Sequence, residues 1–386
     1  MFPKRAYAVI DLDALRANAQ AVIDKVGPDV KIMSIVKTDA YGHGAVPVAR
    51  ELEDLGVDYF GVASVDEGVL LRKHGIKSPI LILGYVFPEE YERLIDSELM
   101  HAVFSYDNAV ALNEKAKWLN KTVKIHIKVD TGMGRIGFLP NKDSIEEIKK
   151  ISKLSNVKID GIFTHFACAD FRDKTSSNRQ KKLFLDFLDQ LKAQGVDVGI
   201  RHMDNSASII DEDRDFLDMV RIGIMGYGLF PSEEVDTDFP LTPVMQLKSS
   251  VSYVKNVHKG FTVSYGSTFV AKDDMTVATV SIGYGDGYPR SLSNRGRVII
   301  NGQFAKIIGR VCMDQFMVDV TDLDVKQGDT VTLFGKDGNF DLSVEELSGL
   351  SGRFNYELCC DINMRVPRVY VKDGEVVEVL DYLERL

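Results

Sequence analysis

The sequence predicts an α/β protein, an N-terminal (β/α)8 TIM-type barrel followed by a mostly antiparallel β domain. Three observations predict it. Over the first ~230 residues, short apolar runs alternate with helix-period segments. After about Ser232 that rhythm gives way to short β-branched runs separated by Gly, Asn and Asp. The 386 residues also exceed one ordinary core and suit two domains.

The eight runs are Lys31–Val36, Tyr59–Ala63, Ile80–Leu83, His101–Phe104, Val123–Val129, Ile159–Thr164, Ile200–Met203 and Met219–Ile224. Most lie some 20 to 40 residues apart, room for a strand, a helix and two loops. Between them, Ser176–Lys192 carries Leu183, Phe184, Phe187, Leu188 and Leu191 at helical spacing and stops at Gly195. Asp66 reads as an N-cap for Glu67–His74, with Gly75 as the stop. An open doubly wound sheet also fits alternation, but eight strands suit closure. Ala6–Leu12 is a further strand ahead of the eight that can join the second domain. In the second half the runs are Val244–Val254, Thr276–Ile282, Arg297–Ile300, Lys306–Met313, Phe316–Val320 and Thr330–Phe334, with helical patterning confined to about Ser343–Leu350. The boundary is placed in the acidic Ser232–Pro243 stretch, giving domains of 1–235 and 236–386.

Composition is that of a globular protein: 45% hydrophobic, 27% charged, with a net charge of −10 and no basic face for nucleic acid. No signal-peptide core and no apolar run of membrane-spanning length is present. The four cysteines, Cys168, Cys312, Cys359 and Cys360, have neither disulfide-framework nor metal-site spacing. These features point to a cytoplasmic protein with no metal, no nucleic acid and no membrane partner.

Barrels carry reactive groups at the C-terminal ends of their strands. Those ends supply Lys37, Ser64, Gly84, Lys128 with Arg135 beyond it, His165, Asn205-Ser206, and Arg221 with Gly223. So many cationic groups at one mouth call for an anion. Asn205-Ser206 and Gly223 follow strands seven and eight, where barrels commonly hold a phosphate. Lys37 closes the apolar strand Ile32–Val36, where desolvation favours a Schiff-base amine. This combination fits either a sugar-phosphate aldolase or a pyridoxal-phosphate enzyme.

Val36-Lys-Thr-Asp-Ala-Tyr-Gly-His-Gly44 resembles the cofactor-lysine signature of bacterial alanine racemases. In the same order follow Lys128-Val-Asp-Thr-Gly-Met-Gly-Arg-Ile-Gly137, His165, His202-Met-Asp-Asn-Ser206, Arg221-Ile-Gly-Ile224, Val263-Ser-Tyr-Gly266, Gly283-Tyr-Gly-Asp-Gly-Tyr-Pro-Arg290, Val311-Cys-Met-Asp-Gln315, Asn355-Tyr356 and Arg365-Val-Pro-Arg368. The match runs nearly end to end. Two departures are Asp204, where the family usually has alanine, and Glu357–Met364, which is atypical.

The resemblance implies pyridoxal 5'-phosphate as cofactor, held by Lys37, and racemisation of L- and D-alanine by two bases. These would be Lys37 and, from the partner subunit, Tyr265. An unperturbed phenol titrates near about pH 10, so a basic tyrosine needs help; the family supplies it through His165, linking Tyr265 to Arg221. Arg221 is implied at the cofactor's pyridine nitrogen, Arg135 on the substrate carboxylate with the backbone near Met313, and Lys128 as a carbamate orienting the arginine. Ser206, Gly223, Ile224 and Tyr356 are implied phosphate contacts and Tyr41 a pocket residue. Tyr284, Arg290 and Asp314 would line the narrow substrate channel. The implied assembly is a head-to-tail homodimer, and the implied role is D-alanine supply for peptidoglycan. A serine or broad-specificity racemase is the alternative on the same scaffold. A non-catalytic pyridoxal-phosphate carrier would lack residues 236–386.

Overall fold

A computed structural model describes residues 5–211 and 216–384. Residues 1–4, where the segment read for a leader begins, lie outside them. The chain forms two compact units. One gathers the described residues up to Ala14, Tyr41–Gly44 and those from Pro243 onward; the other comprises Leu15–Ala40 and Ala45–Thr242.

The first strand, β1 (Ala6–Asp11), belongs to the β unit, where it pairs antiparallel with Met245–Val257 and parallel with Arg368–Lys372. Among the described residues, eight parallel strands close the barrel: β2 (Lys31–Ile35), β3 (Tyr59–Val62), β4 (Ile80–Ile82), β5 (Met100–Val103), β6 (Val123–Lys128), β7 (Val157–Phe163), β8 (Ile200–His202) and β9 (Met219–Ile222). β3, β4, β5 and β9 are buried at every position, as strands covered on both faces must be. That is why they read as apolar runs without alternation. Around them, the helix Thr175–Ala193 buries Phe184, Phe187, Leu188 and Leu191 along one stripe.

One cap differs from the sequence expectation. The helix is Val65–Lys73, and its N-cap is Ser64, whose hydroxyl accepts from Glu67 N at 3.3 Å. Asp66 therefore lies in the first turn, where its charge suits the helix dipole. Ser64 caps a helix and has no such tie to the cationic collar.

The β unit is one sheet in the order β18-β17-β14-β15-β16-β13-β10-β1-β19-β20. Its strands are β10 (Met245–Val257), β13 (Met275–Val280), β14 (Arg297–Ile300), β15 (Gln303–Ile308), β16 (Phe316–Asp319), β17 (Thr330–Asp337), β18 (Phe340–Leu342), β19 (Arg368–Lys372) and β20 (Glu375–Leu380). A separate ribbon pairs β11 (Thr262–Val263) with β12 (Phe269–Val270). The thirteen-residue β10 pairs with β1, β13 and β17, and the β17 contact closes six strands into a ring. β1 and β19 run parallel, the exception in an otherwise antiparallel unit.

Two sequence expectations are corrected in this unit. The strand expected over Lys306–Met313 ends at Ile308, because Gly309 takes φ +75° and turns the chain. A second helix, Asn355–Asp361, follows the expected one at Val344–Ser351. Its apolar positions are too few in seven residues to read as periodic.

His101 and His126 are wholly buried, and desolvation pulls each pKa down to about 4. An unfolded histidine titrates at about 6.5. Between those values the unfolded chain binds the extra proton, so stability is lost as pH falls through this window. Each group should add a slope of ~1.4 kcal/mol per pH unit to the unfolding free energy. Urea unfolding from pH 4.5 to 6.5 checks this: His101→Gln should flatten the slope by about one proton's worth, and an unchanged slope would refute the assignment.

Candidate active site

Lys37 follows β2 and is half-buried. Directly after it, Thr38, Asp39, Ala40 and Tyr41 all take φ between 52° and 54°, a left-handed turn of four non-glycine residues. Each costs ~1–2 kcal/mol, so the turn persists only because its surroundings over-determine it. Ala40 N bonds to Val36 O, and the Asp39 carboxylate accepts from Ala45 N at 2.7 Å. The Glu67 carboxylate accepts from Thr38 N and Ala63 N, both at 2.7 Å, tying the turn to the end of β3. Tyr41–Gly44 joins the β unit, where Arg368 Nε donates to Gly42 O and the Tyr370 hydroxyl to His43 O, each at 2.9 Å.

Arg221 lies within β9 and is 4% exposed. Its Nη1 donates to His202 Nδ1 at 3.0 Å. Its Nη2 donates to Met203 O at 2.7 Å, Thr164 O at 2.9 Å and His165 Nδ1 at 3.3 Å. Among the described residues, none accepts from its Nε. Burial draws the guanidinium down to about pH 10, with Asp204 opposing, so it stays a cation at neutral pH. Because an arginine only donates, both histidines must accept at Nδ1 and carry their proton on Nε2. His202 then donates to His126 Nδ1, 2.9 Å away. Burial first, and the Arg221 charge second, hold His165 and His202 far below their ordinary pKa, and both are neutral.

Lys128 ends β6 and is 2% exposed, its Nζ bonded to Val129 O at 2.8 Å and set over the Phe163 ring. Desolvation, then Arg221 and Arg135 against the pull of Asp130, lowers its amine to about 7. Arg135 is exposed, in a loop shaped by Asp130. That carboxylate accepts from the backbone of Gly132, Gly134 and Arg135 at 2.9–3.1 Å. Burial would raise the Asp130 pKa, but the three amides and Lys128 hold it below the usual carboxylate value.

After β8, the Ser206 hydroxyl accepts from Gly223 N at 3.0 Å and Met225 N at 3.5 Å. Ser206 opens the helix Ser206–Asp211, and Ile224 opens a 3-10 turn, whose first amides have no partner within the turn. Amides and a hydroxyl gathered behind the last two strands suit a phosphate, and the open Nε of a buried Arg221 suits a ring nitrogen. The residues present therefore fit a phosphorylated pyridine.

In the β unit the remaining sequence candidates form two groups. Tyr41 and Tyr356 lie ring to ring at 5.9 Å. Met313 and Asp314 lie in the loop that follows β15, and Tyr265, Tyr284 and Arg290 lie in segments that bond to it. Tyr284 N bonds to Cys312 O, Gly285 N to Met313 O, and Ser293, bonded to Arg290 O, accepts from Val311 N. Tyr265 is 71% exposed, Met313 52% and Tyr284 42%, a large apolar exposure for one face. Asp314 pairs with Arg365 at 2.6 Å. Sequence reasoning assigned no role to Glu67, Asp130 or His202. Asp130 carried a signal, since Asp before Thr-Gly-Met-Gly favours a side-chain-closed turn. Glu67 carried none, because its partners come from two other segments.

The alanine racemase N-terminal domain model matches residues 10–231 and the C-terminal domain model residues 244–370. The chain is 44% identical over 380 residues to the alanine racemase of Clostridium novyi, covering 98% of each chain. Its structure is similar to that of the Clostridium difficile 630 alanine racemase, with a TM-score of 0.95 at 41% identity over 99% of this chain and 100% of the other. It also resembles the Bartonella henselae alanine racemase with covalently bound pyridoxal phosphate, at TM-score 0.84 and 30% identity over 96% of this chain and 100% of that one. A closed barrel with a cationic mouth, a second β unit, and this likeness over nearly the whole length lead to one conclusion: the chain belongs to the alanine racemase family and is an isomerase of that family.

Proposed function

We propose that the chain interconverts L- and D-alanine with pyridoxal 5'-phosphate held at the barrel mouth. The observation that carries this reading is Arg221, a buried cation with both Nη atoms committed and its Nε uncommitted. Ser206, Gly223, Ile224 and Tyr356 would bind the phosphate, Tyr41 would border the pocket, and Lys37 would hold the cofactor covalently. When bound, pyridoxal phosphate acidifies the substrate α-hydrogen by accepting the electron pair the departing proton leaves.

The chain's own groups would do the rest. Arg221 donates to the pyridine nitrogen and, keeping its own proton, withholds one from the ring, which favours return of the α-proton over side reactions. Lys37 serves one face of the α-carbon as base. Tyr265 serves the opposite face, and the neutral His165 offers its Nε2–H to the phenol oxygen, which stabilises phenolate. Arg135 pairs with the substrate carboxylate, beside the backbone at Met313; Tyr284, Arg290 and Asp314 restrict the channel to small side chains. The assay is chiral chromatography of L-alanine and L-serine incubated with the enzyme. L-alanine should racemise faster, and Lys37→Ala should lose both the visible absorbance of the bound cofactor and the activity. Retained absorbance in Lys37→Ala would remove Lys37 from this role.

Lys128 would be a carbamate. With an amine near pH 7, about half of it is neutral at pH 7, against a trace for an ordinary lysine. The neutral nitrogen adds to the carbon of CO2, an N–C bond forms, one C=O electron pair moves to oxygen, and the nitrogen's surplus proton leaves to water. The product anion relieves the repulsion among Lys128, Arg135 and Arg221. Isotope-labelled bicarbonate should give a carbamate carbon signal that Lys128→Ala lacks, and small carboxylates should partly restore that variant's turnover. Turnover indifferent to CO2 removal would count against the carbamate.

The enzyme would act as a head-to-tail homodimer in the cytoplasm, supplying D-alanine for peptidoglycan. The exposure of Tyr265, Tyr284 and Met313 supports their use by a second copy. Lys37→Ala and Tyr265→Ala, each inactive, should regain about a quarter of wild-type activity after dissociation and random re-pairing, because half the dimers then hold one intact site. If Tyr265 serves its own chain, the mixture stays inactive.

A further inference from the structure

Tyr265 stands at the tip of the ribbon formed by β11 and β12, and the residue before it has an unusual backbone. Ser264 takes φ 68° and ψ 179°, a region occupied almost only by glycine. Within three residues Gly266 and Ser267 also have positive φ, 72° and 48°. A serine is held there only if its surroundings force it. Its hydroxyl donates to Arg310 O at 2.7 Å and lies 3.5 Å from Cys312 Sγ. The loop that receives it is itself shaped for the contact, because a Cβ on Gly309 would meet Ser264 Cβ at 2.7 Å. The far end of the tip is fastened to the same loop. Asn294 accepts from Gly309 N at 2.6 Å and donates to Thr268 Oγ1 at 3.2 Å. Beneath the ribbon, Val257, Val263, Ala271, Val277 and Ile308 form a buried apolar cluster that gives it a fixed base.

We propose that Ser264 is a positioning residue for Tyr265: its bond to the Arg310 carbonyl holds the backbone in this glycine-like conformation and so sets the direction in which the phenol leaves the chain. Released from that bond, residue 264 relaxes toward negative φ, and the bond vectors of the next residue rotate with it. The exposed phenol has few contacts of its own to correct this. The proposal rests on the reading of Tyr265 as the second base.

The test uses the cofactor-loaded homodimer with Ser264→Ala, Ser264→Gly and Tyr265→Phe side by side. Ser264→Ala keeps the Cβ that disfavours this conformation and loses the tether; kcat should fall by about 10²-fold with KM little changed, the penalty of a misplacement of ~1 Å. Ser264→Gly accepts the conformation freely, so it should lose less activity and melt no lower than Ser264→Ala, the reverse of the usual alanine advantage over glycine. The decisive readout is exchange of the substrate α-hydrogen in deuterated water. With the phenol misplaced and Lys37 intact, one enantiomer should keep exchanging while its racemisation falls, and the other should lose both. Ser264→Gly, which adds no backbone strain, carries the same expectation if Ser264→Ala does not fold. Wild-type racemisation in Ser264→Ala, equal loss of exchange for both enantiomers, or a higher melting temperature in alanine than in glycine would overturn the proposal. One-sided exchange in Tyr265→Phe but not in the Ser264 variants would remove Ser264 alone. Normal racemisation in Tyr265→Phe would remove the reading of Tyr265 itself.

Discussion

A guanidinium buried in a barrel mouth has to be paid for by acceptors, and Arg221 dictates much of what surrounds it. Three backbone or ring acceptors surround Nη2 and a fourth takes Nη1. Each of those acceptors comes from the end of β8 or from the first two residues beyond β7 or β8. The strands must therefore close in one register for the cation to be tolerable at all. Burial first, and then its charge, keep His165 and His202 neutral and lower the Lys128 amine to about 7, while the donor each histidine faces assigns its tautomer.

The same mouth tolerates a second local cost, the left-handed turn after Lys37. Within the barrel unit Glu67 accepts from its Thr38 amide and Asp39, itself in the turn, accepts from Ala45 N, and within the β unit Arg368 and Tyr370 donate to the carbonyls of Gly42 and His43. Arg368 is itself buried and spends its remaining donors on Ile362, Asn363 and Val366 carbonyls. Strain beside the lysine and strain before Tyr265 follow one pattern. A costly backbone is pinned by hydrogen bonds from side chains outside it or beside it, which fixes a reactive group more firmly than rotamer preference would.

Charge in the mouth is arranged by burial more than by pairing. Lys128, His165 and Arg221 share one positive neighbourhood on a chain of net charge −10, and Asp130 spends its carboxylate on backbone amides rather than on a cation. Such a site holds a surplus of positive potential in a low-dielectric setting, where an anionic ligand gains most. The surface acids carry the protein's net charge elsewhere, on helices and loops where water screens them.

The barrel was legible in the sequence because strands covered on both faces leave uninterrupted apolar runs, and their spacing admits one helix between each pair. β1 was legible as a strand but not in its pairing, since β10 and β19 lie more than two hundred residues away. Lys37, Lys128, His165, Ser206 and Arg221 could be named because they stand at the ends or just past the ends of periodic elements and inside motifs. What the sequence by itself determined is therefore which residues carry charge and in what order the barrel strands and helices, and then the β strands, follow one another. Only the tertiary structure decided that His202 and His126 stand behind Arg221, and that Glu67 reaches the Thr38 amide of the turn after Lys37. Those outcomes depend on distance in space and on which donors remain unsatisfied after burial, and neither is a property of neighbouring positions in a chain.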